Sequence, residues 1–163
     1  MPPRRGTNGI QALDLLGRKV QMQNGRGLQL LCRTMRDDAD AAAAVGDEEL
    51  SRRAAALRDA VQRLESVTAS LLALGSPAKT LANAHEYLNM TGHTVMAWML
   101  LRNEAEAARQ LAAAAAMGQD AFLQGKRFSS RFFFAHELPK TVQLAELLVS
   151  ADATTTEMGI EMF

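Results

Sequence analysis

Apolar residues recur at steps of three and four along most of the chain, and no stretch alternates strictly between apolar and polar residues as a half-buried strand does. The clearest stripe consists of Leu50, Ala54, Leu57, Val61, Leu64 and Leu71. The arginines between them predict a solvated opposite face, formed by Arg52, Arg53, Arg58 and Arg63. Asp47 is the predicted N-cap of this helix, because its carboxylate can accept from a free amide of the first turn.

Two further helices are predicted upstream of this stripe. One covers residues 28–44, with Leu28, Leu31, Met35, Ala39 and Ala42 on one face, and it follows a break at residues 25–27. The other is short and covers residues 9–17. Either Thr7 or Asn8 can cap it.

Downstream, Ser76 and Pro77 have the pattern of a cap followed by a proline in the first turn. No proline or glycine pair interrupts the chain from there to Gly118, so a single long helix is predicted. Thr91 and Gly92 in its middle predict the close approach of a neighbouring helix, since a glycine there otherwise costs about 1 kcal/mol.

The last predicted helix begins near Asp120 and passes through Pro139 with a kink, because the apolar period continues on both sides of the proline. Its predicted core face consists of Phe128, Phe132, Ala135, Leu138, Val142, Ala145 and Val149. The tail from residue 150 to 163 is expected to fray unless Met158, Ile160 and Phe163 dock on a neighbour. Four main helices with short connections, preceded by a short N-terminal helix, predict an all-α antiparallel up-and-down bundle.

Composition narrows the function only slightly. The 163 residues are 48% apolar, which is enough for one domain with its own core. Because 18 basic residues balance 18 acidic ones, no nucleic-acid partner is indicated. No signal sequence and no apolar run of membrane-spanning length is present, so a soluble cytoplasmic chain is expected and a membrane contact is not. Cys32 is the single cysteine and excludes an internal disulfide.

The sequence does not complete either of two metal-site motifs that it partly resembles. His136 and Glu137 resemble the start of a zinc-protease motif, but its second histidine would fall at Lys140, beside Pro139. A di-metal carboxylate site needs a glutamate three residues before a histidine, and no histidine of this chain has one there. No metal site is therefore predicted. Cys32 is interpreted as a packing residue and not as a nucleophile.

Three stretches carry a resemblance. "GTNGIQALDLLGRK" resembles the segment just beyond the active-site loop of acyl-CoA dehydrogenases. "ANAHEYLNMTGHTVMAWMLLRNEAEAAR" and "FLQGKRFSSRFFFAHELPKTVQLAELL" resemble the extra C-terminal domain of the large bacterial members, a subgroup that includes enzymes acting on methylmercaptopropionyl-CoA. The resemblance implies that residues 1–24 end a catalytic core and that residues 25–163 form the appended helical bundle.

The resemblance also implies the chemistry of a longer protein. These enzymes use FAD to oxidise the Cα–Cβ bond of an acyl-CoA thioester, and in many of them the catalytic glutamate directly precedes a Gly-Thr-x-x-Ile-Gln turn. Arg5 holds that position here, so no catalytic residue is expected in this chain. Thr7 and Gln11 match residues that lie close to FAD, often the FAD of a neighbouring subunit. The opening "MPPRR" does not resemble the family, which indicates a truncated chain or a misassigned start.

Two hypotheses about function remain at this point. The first is an auxiliary C-terminal domain of an FAD-dependent acyl-CoA dehydrogenase, which supports dimerisation, shapes or shields the active site and is inactive alone. Its expected partners are the remainder of the chain, a second copy and the acyl-CoA of the full enzyme. The alternative is a free-standing helical interaction module that has lost the enzyme.

Overall fold

The computed structural model describes residues 7–113 and 120–162. These two ranges contain helices and turns and no strand, as the sequence predicts. The helices are α1 (Thr7–Gly17), α2 (Met22–Ala43), α3 (Glu48–Ala73), α4 (Pro77–Leu81), α5 (Ala84–Ala113), α6 (Asp120–His136), α7 (Lys140–Val149) and α8 (Thr154–Glu157). Short 3₁₀ turns cover Lys19–Gln21 and Ile160–Met162. None of the described helices is long and apolar enough to cross a membrane.

The main helices run up and down around two adjoining apolar clusters. The first cluster joins the second half of α2, the first half of α3 and the second half of α5. The second cluster joins α1, the end of α3, the start of α5 and α7. The first half of α3 lies in the first cluster and its end lies in the second, whereas α5 starts in the second cluster and ends in the first. The two helices are therefore antiparallel. The predicted bundle is confirmed, and α5 lies at its centre in contact with α1, α2, α3, α6 and α7.

Helix α3 follows its sequence pattern closely. Every apolar residue of the predicted stripe is buried. Asp47 is the N-cap, and its carboxylate accepts a hydrogen bond from the amide of Leu50 at 2.9 Å. One assignment is wrong, because Arg53 lies in the interior and not on the solvated face.

The break predicted at residues 25–27 lies within α2, near its start, and begins two residues earlier than predicted. Gln23, Asn24 and Gly25 all have positive φ, at 52°, 56° and 79°, and form a left-handed turn. Gly27 lies inside the regular helix that follows. Gly25 therefore lies in the break as predicted, whereas Gln23 and Asn24, which were not predicted to take part, form the rest of the turn.

The predicted single helix from Pro77 divides into α4 and α5. The division falls at Ala82 and Asn83, where the Asn83 side chain donates to the carbonyl oxygen of Asp152 at 2.8 Å. This contact spans 69 residues of the chain and therefore depends on the tertiary fold. The close approach predicted at Gly92 is also wrong, because a Cβ there would have no atom within 4 Å. Gly118 lies outside the described residues.

The helix predicted to kink at Pro139 is two helices. The turn at residues 137–139 separates α6 from α7, and the amide of Leu138 reaches back five residues to the carbonyl oxygen of Phe133. Of the predicted core face, Leu138 and Ala145 are buried. The remaining five residues are exposed, so the prediction of one continuous buried face is wrong for Phe128, Phe132, Ala135, Val142 and Val149.

The C-terminal tail forms α8 and one 3₁₀ turn. Met158 is exposed and does not dock on the bundle. Phe163 and the side chain of Ile160 lie outside the described residues.

Candidate functional site

The first candidate surface is the outward face of α1. Ala12 and Leu16 are buried and fix the helix against the start of α5. On the other side Thr7 and Gln11 are exposed beside two apolar side chains, Ile10 and Leu13. The helix begins at Thr7, two residues earlier than predicted, so Thr7 lies in the first turn instead of preceding it. Arg5 lies outside the described residues.

The first turn of α1 has the electrostatics of an anion-binding helix end. The amides of a first turn have no partner within their own helix, and this turn contains no acidic residue to offset the positive end of the dipole. The side chains of Thr7 and Gln11 are exposed to solvent on the same surface. Such a helix end, with exposed donors, can receive a phosphate group.

The other end of α1 is held by polar contacts. The Gln21 carboxamide donates to the carbonyl oxygens of Gly17 at 3.2 Å and Leu16 at 3.4 Å. Arg18 and Asp14 form an ion pair at 2.5 Å on the exposed side. The helix is thus fixed at its C-terminal end, whereas its first turn faces solvent.

A buried ion pair joins α3 to α5. The guanidinium of Arg53 donates to both carboxylate oxygens of Glu104, at 2.8 Å from Nε and 2.5 Å from Nη2, and it also donates to Glu49 at 3.0 Å. Glu104 is 0% exposed and Arg53 is 9% exposed. Burial acts to lower the pKa of Arg53, but the hydrogen bonds and charges of Glu104 and Glu49 outweigh it and raise the pKa. The sequence contains one signal for this buried pair that was missed: Glu104 lies on the apolar face of its helix, directly before Ala105.

Further charges extend this pair into a network beside a cleft of about 340 Å³. Arg127 of α6 contacts Asp47 through Nη2, and its Nε lies 3.9 Å from Glu104. The lining residues are Glu49, Arg53, Gln124, Arg127, Phe128 and Arg131. Because Glu104 and Asp47 lie against Arg53 and Arg127, the positive charge is neutralised within the protein. The arrangement fits a clamp between α3, α5 and α6 better than an anion site.

Cys32 and His93 are held by packing and by contacts within the bundle. Cys32 is fully buried, and burial raises the pKa of its thiol to about 12, so no thiolate forms at neutral pH. The Nδ1 atom of His93 lies 2.7 Å from the carbonyl oxygen of Asn89, and its Nε2 lies 3.4 Å from Glu137. His136 is exposed and its ring lies against Phe132. Within residues 7–113 and 120–162, no group of three potential ligands could hold a metal ion.

Comparison with known proteins places most of the chain in a family. The sequence profile of the family described as "Acetyl-CoA dehydrogenase C-terminal like" matches residues 31–159, nearly the whole of the bundle from α2 onward. The chain belongs to this family. The match starts after α1, so the candidate surface around Thr7 and Gln11 lies outside the matched region of this family.

Two curated proteins are similar to the chain. A 3-methylmercaptopropionyl-CoA dehydrogenase of Ruegeria pomeroyi is 35% identical over 143 residues, which cover 82% of this chain and 22% of the relative. A broad-specificity linear acyl-CoA dehydrogenase of Mycobacterium tuberculosis is 26% identical over 164 residues, which cover 97% of this chain and 27% of the relative. The chain therefore spans about a quarter of the length of these relatives. The second alignment includes α1, as the resemblance of the opening stretch implies.

Proposed function

We propose that the chain is the C-terminal portion of an FAD-dependent acyl-CoA dehydrogenase. Residues 1–24 then end the catalytic core, and residues 25–163 form the appended bundle. The observation that carries this proposal is the family match over residues 31–159, supported by an alignment with a much longer acyl-CoA dehydrogenase that includes α1. The two relatives act on different acyl-CoA thioesters, as their names state, so the proposal names acyl-CoA as a class.

Within this proposal, Thr7 and Gln11 contact the flavin cofactor of the full enzyme. The supporting feature is the exposed first turn of α1, where backbone amides and the positive end of the helix dipole can face the FAD pyrophosphate. Ile10 and Leu13 provide an apolar surface beside it that the rest of the catalytic core or a second subunit covers. The bundle contributes to this assembly by holding α1 through Ala12 and Leu16.

This role assigns no catalytic base to the chain. Arg5 stands where the glutamate is expected, and a guanidinium stays protonated at physiological pH and cannot abstract a proton. The chain by itself should therefore turn over no acyl-CoA when FAD is supplied. Turnover above a blank without protein would contradict this part of the proposal.

Isolation of the native protein from its source, with an antibody against this chain, tests the central proposal. We expect a polypeptide several times longer than 163 residues that carries bound flavin. In that polypeptide Gln11→Ala should lower the flavin content on purification, whereas Arg18→Ala, at an exposed position directly after the end of α1, should not. A native species of 163 residues without flavin would exclude the proposal.

A second candidate function is a free-standing helical interaction module. It is favoured by one observation, namely the phenylalanines of α6 that stay more than half exposed: Phe122, Phe128 and Phe132. This function predicts a native chain of 163 residues that associates with itself or with another protein. The same isolation experiment separates the two candidates, because only the dehydrogenase predicts a long flavoprotein.

A further inference from the structure

Helix α6 carries a second apolar stripe that points away from the bundle. Its members follow one another at alternating steps of four and three residues, and we call them the outer seam: Ala121, Gly125, Phe128, Phe132 and Ala135. All five are exposed, with Phe128 at 63% and Phe132 at 58%. Leu123 and Ser130 form the opposite, buried side of the helix. This spacing is that of a helix packed against another helix.

The glycine in the outer seam has no explanation within the bundle. A Cβ at Gly125 would meet no atom within 4 Å, and its φ is not positive, so neither crowding nor backbone geometry requires a glycine. In a helix interior a glycine costs about 1 kcal/mol relative to alanine. Small residues at Ala121, Gly125 and Ala135 alternate with two large ones, a surface that allows a second helix to approach closely.

The charge of α6 argues against pairing with a second copy. After its first residue, Asp120, the helix contains Lys126, Arg127 and Arg131 and no further aspartate or glutamate. Arg127 is engaged by Asp47, whereas Lys126 and Arg131 are exposed beside the seam. Two copies packed along this helix would bring these cations together. The complementary occupant is an apolar helical surface flanked by carboxylates.

The size of the seam indicates a tethered occupant. A phenylalanine offers about 150–250 Å² of surface, so the two seam phenylalanines expose on the order of 200–300 Å² together. Even doubled, the area of these two side chains is at most about half of the roughly 1,200 Å² at the lower end of stable interfaces between separate proteins, so the phenylalanines alone do not supply such an interface. A segment of the same polypeptide needs less contact, because a linker keeps its effective concentration near the millimolar range.

We propose that the outer seam of α6 docks on a carboxylate-bearing helix in the remainder of the same dehydrogenase polypeptide. This inference rests on the function proposed above. It adds the face of the bundle that meets the catalytic part and the chemistry of the helix received there. Docking at this face covers both phenylalanines and places Lys126 and Arg131 opposite acidic side chains.

Hydroxyl-radical footprinting of the 163-residue chain and of the long flavoprotein tests the inference. We expect Phe128 and Phe132 to be oxidised several-fold more slowly in the long polypeptide, whereas Leu30, with the same 63% exposure as Phe128, serves as the reference. In the long polypeptide Phe132→Glu should return the oxidation rate of Phe128 to that of the chain alone. Leu30→Glu is the matched control and should leave it unchanged.

Two glycine variants give an independent readout. Gly92→Ala and Gly125→Ala both have open space around the new methyl group and should both raise the Tm of the 163-residue chain. In the long polypeptide only Gly125→Ala should increase the oxidation of Phe128, because its methyl group separates the docked helices. Equal effects of both variants in the long polypeptide would count against close docking.

The outcomes separate the inference from the proposed function. A long flavoprotein in which Phe128 and Phe132 react as fast as in the chain alone overturns the inference and leaves the function standing. If the 163-residue chain forms a dimer and Phe132→Glu dissociates that dimer, the outer seam binds a second copy. That result also overturns the inference. A native chain of 163 residues without flavin would contradict both the proposed function and the inference.

Discussion

Helices α3 and α6 both carry apolar side chains at steps of three and four, yet only α3 turns that stripe toward the core. Helix α3 lies between α2 on one side and α5 and α7 on the other, and all its predicted core residues are buried. Helix α6 lies at the edge against α5 and keeps Phe128 and Phe132 in solvent. A periodic apolar stripe therefore marks a helix face suited to burial, but the element that buries it can belong to the same domain or to another part of the protein.

The largest expected effect concerns the arginines of the two helices. Arg53→Met in α3 should lower the free energy of unfolding by about 3–5 kcal/mol, because Glu104 stays buried without its main partner. Arg131→Met in α6 should change it by less than about 0.5 kcal/mol, since that side chain is exposed. Urea denaturation measures both. The double variant Arg53→Met with Glu104→Leu should recover most of the loss, and a double variant as unstable as the single one would contradict this account.

The apolar stripes give the next contrast. Leu57→Ala should cost about 2–5 kcal/mol, because it leaves a cavity in the first cluster. Phe132→Ala should cost less than about 0.5 kcal/mol in the 163-residue chain, although it removes the larger side chain. Both values follow from the same denaturation experiment. Similar losses in the two variants would mean that α6 buries its seam within the bundle.

Asp47 gives a test by pH, since it caps α3 and binds Arg127 of α6. The hydrogen bond from the Leu50 amide and the charge of Arg127 lower the pKa of Asp47 below its ordinary 3.8. Its contribution is therefore complete above that ordinary value and is lost as the pH falls through the lower pKa of the folded state. Asp47→Ala should cost about 1–2 kcal/mol at pH 7. Asp47→Asn keeps a capping oxygen without the titration, so its stability should fall less between pH 5 and pH 2.

The smallest effect concerns a buried hydroxyl on each helix. Ser130 of α6 is fully buried, and its Oγ has no hydrogen-bond partner among the described residues. Ser130→Ala should raise the stability by about 1 kcal/mol, because the cost of an unsatisfied group disappears. Thr68→Val in α3 should have the opposite sign, since the Tyr87 hydroxyl 2.6 Å away loses its partner. Thermal unfolding measures the stability of both variants. A loss of stability in Ser130→Ala would show that the Ser130 hydroxyl has a hydrogen-bond partner.

Local signals predicted much of the fold. The stripe and the Asp47 cap of α3 depend on neighbours within one helix, and both were predicted correctly. The division at Asn83 was missed, and its side chain donates to the carbonyl oxygen of Asp152 in the tail, a contact that no local pattern reveals. Arg53 was misplaced for a similar reason, since its partner Glu104 lies on another helix. The roles of Thr7 and Gln11 remain proposals that the resemblance supplied.

By itself the sequence determined the helical class, the order of the main helices and the family, because periodicity, caps and motifs are properties of neighbouring residues. The tertiary structure alone decided where the long helix divides, which charges enter the interior and which stripe remains in solvent. Each of these depends on atoms far away in the chain. A buried ion pair forms only when two helices bring Arg53 and Glu104 together. An apolar stripe stays exposed, as on α6, when the bundle offers no neighbour to cover it.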